Sequence, residues 1–137
     1  AITIAETGHL VFSTLHTNSA SQSIDRMIDA FPAHQQQQVR VQLAFTLKGI
    51  VSQRLLPRID GGRIPAVEIL LGTPAVASNI RDGKTHLIDS IIQTSQDSGM
   101  IPLESSLSQL VLNGVISLET AKLHALRLDE LMRLVSG

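Results

Sequence analysis

The sequence predicts a mixed α/β fold: a short strand and a hairpin within residues 1–72, then an all-helical region over residues 73–137. Three observations predict it. The stretch His9-Leu10-Val11-Phe12-Ser13-Thr14-Leu15-His16-Thr17 is a nearly continuous apolar run between a helix end and a helix start, as expected of a strand covered on both faces. Asp60-Gly61-Gly62 separates two β-prone runs, which is a hairpin signal. From Thr73 onward, Gly83, Gly99 and Gly114 punctuate segments that read as helices.

Ala1-Ile2-Thr3-Ile4 opens inside a predicted helix that ends at Glu6-Thr7-Gly8, with Gly8 where a left-handed residue costs least. The lack of an initiator Met and of a cap at Ala1 is expected of a segment from a longer protein. Residues 9–17 form the predicted strand. Ser19 with Gln22 fits a capping box that starts a helix over residues 19–30, with Ile24, Met27 and Ile28 on its apolar face. Phe31-Pro32 ends it. A second helix is expected over residues 33–53, with Val39, Leu43, Leu47, Ile50 and Val51 facing a core and Gly49 as a weak spot or close-packing point. Strands are expected over residues 54–59 and 63–71, where Pro57 and Pro65 restrict them to edges or ends. Thr73 as N-cap and Pro74 at the first helical position start the helical region. Its helices are expected over residues 74–81, 85–94, 102–112, 118–125 and 129–135.

Composition narrows the function classes. Hydrophobic residues make up 43% of the 137, yet there are 3 Phe and no Trp or Tyr, so the core must be aliphatic. A formal net charge of −1 and the scarcity of aromatics argue against a dedicated nucleic-acid surface. With no cysteine there is no disulfide framework and no thiolate metal site. No apolar run approaches the ~18 residues of a membrane-spanning helix.

His16 and Thr17 fall at the carboxyl end of the predicted strand, where open α/β sheets bind ligands. A histidine there can donate a hydrogen bond to a phosphate oxygen or relay a proton. His9 lies seven residues earlier. In an extended chain it would be roughly 23 Å away and on the opposite face, so one ligand atom cannot meet both within one subunit. Thr14 and Thr17 suit a strand simply as β-branched residues. Arg26, Arg40, Arg54 and Arg81 are candidate charge carriers, since a planar guanidinium grips phosphate or carboxylate well. Surface or interface ion pairs are the plainer use for each. Gly83-Lys84-Thr85 copies the tail of a phosphate-binding loop, but the glycine required five residues before Gly83 is Ser78 and a helix precedes it. Gly83 is better read as a helix C-terminal glycine. No acidic pair follows a strand where it could hold Mg2+.

Ala5-Glu6-Thr7-Gly8-His9-Leu10-Val11-Phe12-Ser13-Thr14-Leu15-His16-Thr17-Asn18-Ser19-Ala20 resembles the histidine box of the secretion ATPases. That family includes the motors of type IV pili and type II secretion. The resemblance continues through Ile24-Asp25-Arg26, Phe31-Pro32, Gln53-Arg54-Leu55, Gly62-Arg63, Glu68-Ile69-Leu70, Gly72-Thr73-Pro74-Ala75 and Ile80-Arg81, and covers the chain to about Ala125. It implies that residues 1–72 are the C-terminal part of a RecA-like ATPase core, with the histidine box in its sheet, and that residues 73–137 are the helical C-terminal region. It implies ATP and Mg2+ as cofactors of the full-length protein, whose phosphate loop and acidic motifs precede the box. Catalytic roles are implied for His16, near the phosphates, and for His9, at a distance or across a subunit boundary. Thr14, Thr17 and Arg54 are the implied cofactor-binding residues, the threonines orienting the strand end. Arg26 and Arg81 are the implied subunit or partner contacts. The full-length protein would be a homo-hexamer on the cytoplasmic side of the inner membrane, held there by a pilus platform protein.

Within the family, assembly and type II motors usually carry a cysteine-rich zinc insertion between the Gln-Arg-Leu and Gly-Arg segments. Here six residues join Gln53-Arg54-Leu55 to Gly62-Arg63, with no cysteine, which favours the retraction branch. One departure concerns Ala75-Val76-Ala77-Ser78-Asn79-Ile80-Arg81-Asp82. It has Ala77 where retraction motors usually have arginine, and Asn79 and Asp82 where leucine and glutamate are usual. The leading expectation is a motor ATPase for pilus retraction, with the 137 residues alone inactive and binding no nucleotide tightly. The alternatives are a non-enzymatic helical docking module and an assembly or type II motor without the insertion. The chain alone is also expected to self-associate through an uncovered sheet edge.

Overall fold

A computed structural model describes residues 1–137, and its centre is one antiparallel hairpin. Strand β1 (Gly49–Pro57) pairs with β2 (Arg63–Leu71), in a register that sets Gly49 opposite Leu71 and Pro57 opposite Arg63. The turn closes as the sequence requires: Gly61 and Gly62 take φ of 101° and 77°, open to glycine without strain, and the Arg58 amide donates to the Gly62 carbonyl at 3.0 Å. Side chains alternate with the period of two. Ser52 and Leu56 on β1, with Ala66, Glu68 and Leu70 on β2, are buried on one face. Val51, Gln53 and Leu55 are exposed on the other. The free edge of β2 is partly covered, because Ile69 and Ile101 exchange backbone hydrogen bonds at 2.8 and 3.0 Å.

Eight helices surround the hairpin. Before it come α1 (Ile2–Glu6), α2 (Ala20–Asp29) and α3 (Gln36–Thr46). After it come α4 (Pro74–Arg81), α5 (Ile88–Thr94), α6 (Leu103–Leu112), α7 (Leu118–His124) and α8 (Leu128–Ser136). The expected caps are present. Ser19 Oγ accepts from the Gln22 amide at 3.2 Å, and Thr73 Oγ1 accepts from the Val76 amide at 3.4 Å. The capping box closes one residue early, since Gln22 Oε1 takes the amide of Asn18 at 2.7 Å.

The mixed α/β class therefore holds, with the hairpin and the helical C-terminal region as read. Two local expectations fail. Residues 9–17 form no strand. A strand needs a neighbour to satisfy its backbone groups, and within this chain β1 and β2 pair only with each other and with the Ile101 bridge. The helix expected over residues 33–53 stops at Thr46, and Gly49, Ile50 and Val51 open β1 instead. Close backbone contact explains the break: the Gly72 amide donates to the Lys48 carbonyl at 2.9 Å, and a Cβ on Gly72 would lie 2.0 Å from the Leu47 carbonyl oxygen. β-branched Ile50 and Val51 then gain Leu70 and Ile69 as strand partners.

Apolar burial divides into two clusters. One gathers α2, α3, α4 and α5 against Leu70, with Ile24, Leu43 and Ile80 among its buried members. The other gathers α6, α7 and α8 against Leu56 and Ala66, with Leu107, Ile116 and Leu131 buried. Glu68 sits between Ala66 and Leu70 on the same face of β2, and so between the two clusters. The first cluster draws residues from both sides of position 72. No helix is long and apolar enough to cross a membrane.

Candidate functional site

The histidine-bearing segment leaves α1 at Gly8, whose φ of 89° ends the helix, and runs to Ser19 at the start of α2. His9, Thr14 and His16 are exposed along it. The His9 ring nitrogen Nδ1 lies 2.9 Å from the Thr7 hydroxyl, which itself donates to the Ile4 carbonyl at 2.7 Å. Leu10, Phe12 and Leu15 between the histidines are also exposed, Leu10 at 76% and Phe12 at 88%, while Val11 is half-buried. The segment becomes anchored only at its far end. The Thr17 hydroxyl hydrogen-bonds that of Ser23 on α2.

The inner face of the hairpin grips the chain next to this anchor. Arg54 on β1 donates from Nη2 to the Asn18 carbonyl and from Nη1 to the His124 carbonyl, both at 3.0 Å. Glu68 on β2 accepts the Ala20 amide at 2.8 Å, which satisfies one of the free donors at the start of α2 and places a carboxylate at its positive end. Burial holds the Glu68 carboxyl above its usual range, and the nearby Asp89 and Glu104 charges push the same way. The Ala20 hydrogen bond and the Arg127 charge oppose the rise. Glu104, buried in α6, accepts the Arg127 amide at 2.6 Å. Arg127 in turn lies 3.7 Å from Asp89, and Asp89 accepts the Ser21 hydroxyl at 3.2 Å.

The other sequence candidates lie elsewhere. Arg26 is exposed on α2. Arg81 ends α4 and lines a shallow cleft with Val41, Phe45, Pro74 and Ala77. Gly83 adopts φ of 71° just beyond α4, and the Thr85 hydroxyl donates to Asp25 at 2.7 Å, so Gly83-Lys84-Thr85 is a helix exit and not a phosphate loop. No group of three or more His, Asp or Glu side chains is arranged to hold a metal ion.

Comparison with known proteins places this arrangement. The model of the family "Type II/IV secretion system protein" matches residues 1–111. The chain belongs to that secretion family. Among its curated relatives, the type IV pilus retraction ATPase PilT of Pseudomonas aeruginosa is 48% identical over 122 residues, covering 89% of this chain and 36% of that protein. A twitching motility protein of Neisseria gonorrhoeae is 47% identical over 126 residues, covering 91% and 34%. A crystal structure of the pilus retraction motor PilT with bound ADP superposes with a TM-score of 0.84 at 44% identity, over 96% of this chain and 37% of that one. The chain thus spans about a third of the length of the secretion-family relatives it matches.

Sequence reading missed the buried carboxylates of this secretion-family chain. The signal for Glu68 was present. In Ala66-Val67-Glu68-Ile69-Leu70 a charge occupies a position that the period of two assigns to the core, and such a charge needs a partner. Glu104 at the start of α6 carried no comparable signal, since acidic residues are ordinary in a first helical turn.

Proposed function

We propose that this chain is part of a hexameric motor ATPase that powers type IV pilus retraction, supplying its histidine box and helical C-terminal region. The observation that carries the choice of retraction is the hairpin. Gln53-Arg54-Leu55 runs along β1 and returns at Gly62-Arg63 through one tight turn, leaving no insertion between the strands. Likeness to proteins called a retraction ATPase and a twitching motility protein over 89% and 91% of the chain supports the same reading.

On this reading residues 1–72 complete a RecA-like core and residues 73–137 form the helical region. ATP, bound with Mg2+, supplies the phosphoanhydride bond that is cleaved. His16 donates a hydrogen bond to a phosphate oxygen or relays a proton. Thr14 and Thr17 orient the segment on the nucleotide side, Arg54 secures its end, and His9 acts at a distance or across a subunit boundary. No group of three or more His, Asp or Glu side chains is arranged here to hold a metal ion, and in the family the acidic motifs for Mg2+ precede the histidine box. Leu10, Phe12 and Leu15 are covered once the segment joins the sheet of the complete core. Arg26 and Arg81, exposed on α2 and α4, meet neighbouring subunits or the membrane-bound platform protein. The motor works at the cytoplasmic face of the inner membrane and binds no nucleic acid.

The test is ATP turnover by the full-length protein with His16→Ala. Turnover should fall while the circular dichroism spectrum stays unchanged; turnover equal to the parent's removes His16 from the mechanism. The 137 residues alone should hydrolyse no ATP. A second reading, a non-enzymatic docking module, draws on the exposed Leu123, Leu126 and Leu128 around the turn between α7 and α8. It would lead if the full-length protein has no nucleotide turnover.

A further inference from the structure

Two separate routes join the end of the histidine segment to the turn between α7 and α8. The first is Arg54, which lies on the buried face of β1 between Ser52 and Leu56. Its two terminal nitrogens each hold a backbone carbonyl at 3.0 Å: Asn18, two residues beyond His16, and His124, the last residue of α7. Its Nε is buried without a protein acceptor, while the residue as a whole is half-buried. The second route runs from Ser21 through Asp89 to Arg127, whose amide is held by Glu104. Both routes begin within the first residues around the start of α2 and end within residues 124–127.

A guanidinium is a planar fork with donors in fixed directions. The two carbonyls it bridges are 106 residues apart in sequence, and neither belongs to the hairpin. The His124 carbonyl is one of the free acceptors at the end of α7, a position that favours a cation. If the α7–α8 turn shifts relative to β1, the fork must either release one carbonyl or carry Asn18 with it. A displacement of about 1 Å at a catalytic group is enough to matter.

We infer that Arg54 is a positioning residue that ties the end of the histidine segment to the α7–α8 turn, so that the placement of His16 depends on the C-terminal helices. The effect on turnover rests on the motor reading above; the mechanical tie does not.

The test uses the full-length protein with Arg54→Met, Arg54→Lys and, as a control, Arg58→Met, which removes an arginine of the same hairpin that pairs with Asp60. ATP turnover is measured together with amide hydrogen exchange at residues 18–22 and 125–131. Arg54→Met should lower kcat by about tenfold or more while KM changes by less than about twofold, as expected when placement and not binding is lost. Exchange should rise at both stretches together. Arg54→Lys should restore protection at one stretch only, since an ammonium is a point charge without the fork. Arg58→Met should leave both measurements at the parent level. Parental kcat in Arg54→Met, or exchange that rises at one stretch alone, overturns the inference. If the parent protein itself shows no ATP turnover, the motor reading fails, and the exchange data alone decide the tie.

Discussion

Glu68 and Ala20 are 48 residues apart in sequence, yet the carboxylate of one holds the backbone amide of the other at 2.8 Å. This contact sets the start of α2 on the inner face of the hairpin. It also leaves a carboxyl group between two apolar clusters, where ionisation is disfavoured by burial and by Asp89 and Glu104.

A pH dependence follows from that placement. The folded protein holds the Glu68 proton more tightly than the unfolded chain does. Stability is therefore lost as pH rises from the ordinary value of 4.5 through the raised folded value. Glu68→Gln keeps an oxygen for the Ala20 amide and removes the charge. Its Tm should change less between pH 4.5 and 7 than that of the parent; parallel Tm profiles would show that Glu68 is not the titrating group.

Gly72 should tolerate no side chain. A Cβ there would lie 2.0 Å from the Leu47 carbonyl oxygen, which belongs to the backbone and cannot swing aside. Gly72→Ala should destabilise the chain by about 1–3 kcal/mol in urea unfolding. An unchanged midpoint would mean that the Leu47–Gly72 approach is not a feature of the folded state in solution.

The N-cap of α2 offers a smaller and cleaner test. Ser19→Ala removes the acceptor for the Gln22 amide and should cost about 1 kcal/mol. Ser95, which precedes a short 3-10 turn without a side-chain cap bond, provides the comparison. Ser95→Ala should cost clearly less, and equal losses would argue against capping as the cause.

The two apolar clusters should respond independently to small deletions. Ile24 and Ile116 are buried in different clusters. Ile24→Val and Ile116→Val should each cost about 0.5–1.5 kcal/mol. The double variant should match the sum to within about 0.5 kcal/mol. A larger deviation in a double-mutant cycle would mean that the clusters form one unit.

The hairpin and the C-terminal helices were legible because their signals are local. Paired glycines allow a turn that few other residues permit, and Thr73-Pro74 marks a helix start within two residues. The end of α3 was not legible, because Leu47-Lys48-Gly49 fits a helical pattern until Gly72 arrives from 25 positions later to meet Leu47. The apolar run from Leu10 to Leu15 reads as a strand by composition, but composition supplies no hydrogen-bond partner. At the candidate site, His9, Thr14, His16 and Thr17 were visible as residue types along the segment that joins α1 to the anchored start of α2. The role of Arg54 was open, because the sequence shows a cation and not the two carbonyls it meets. Glu104, Asp89 and Arg127 come together only through tertiary packing of α5, α6 and the α7–α8 turn.

The tip of the hairpin also has a practical consequence. The chain entering the turn is held by the Arg58–Asp60 pair at 3.1 Å and by the Ile59 amide on the Val115 carbonyl at 2.9 Å. Just beyond these contacts, a Cβ at Gly61 would meet nothing within 4 Å. Extra chain spliced in after Gly61 would extend into open solvent, and each doubling of its length would add only about 0.6 kcal/mol of closure entropy. That makes the tip a natural port for an epitope or a fluorescent reporter, carried at the end of the two-stranded hairpin.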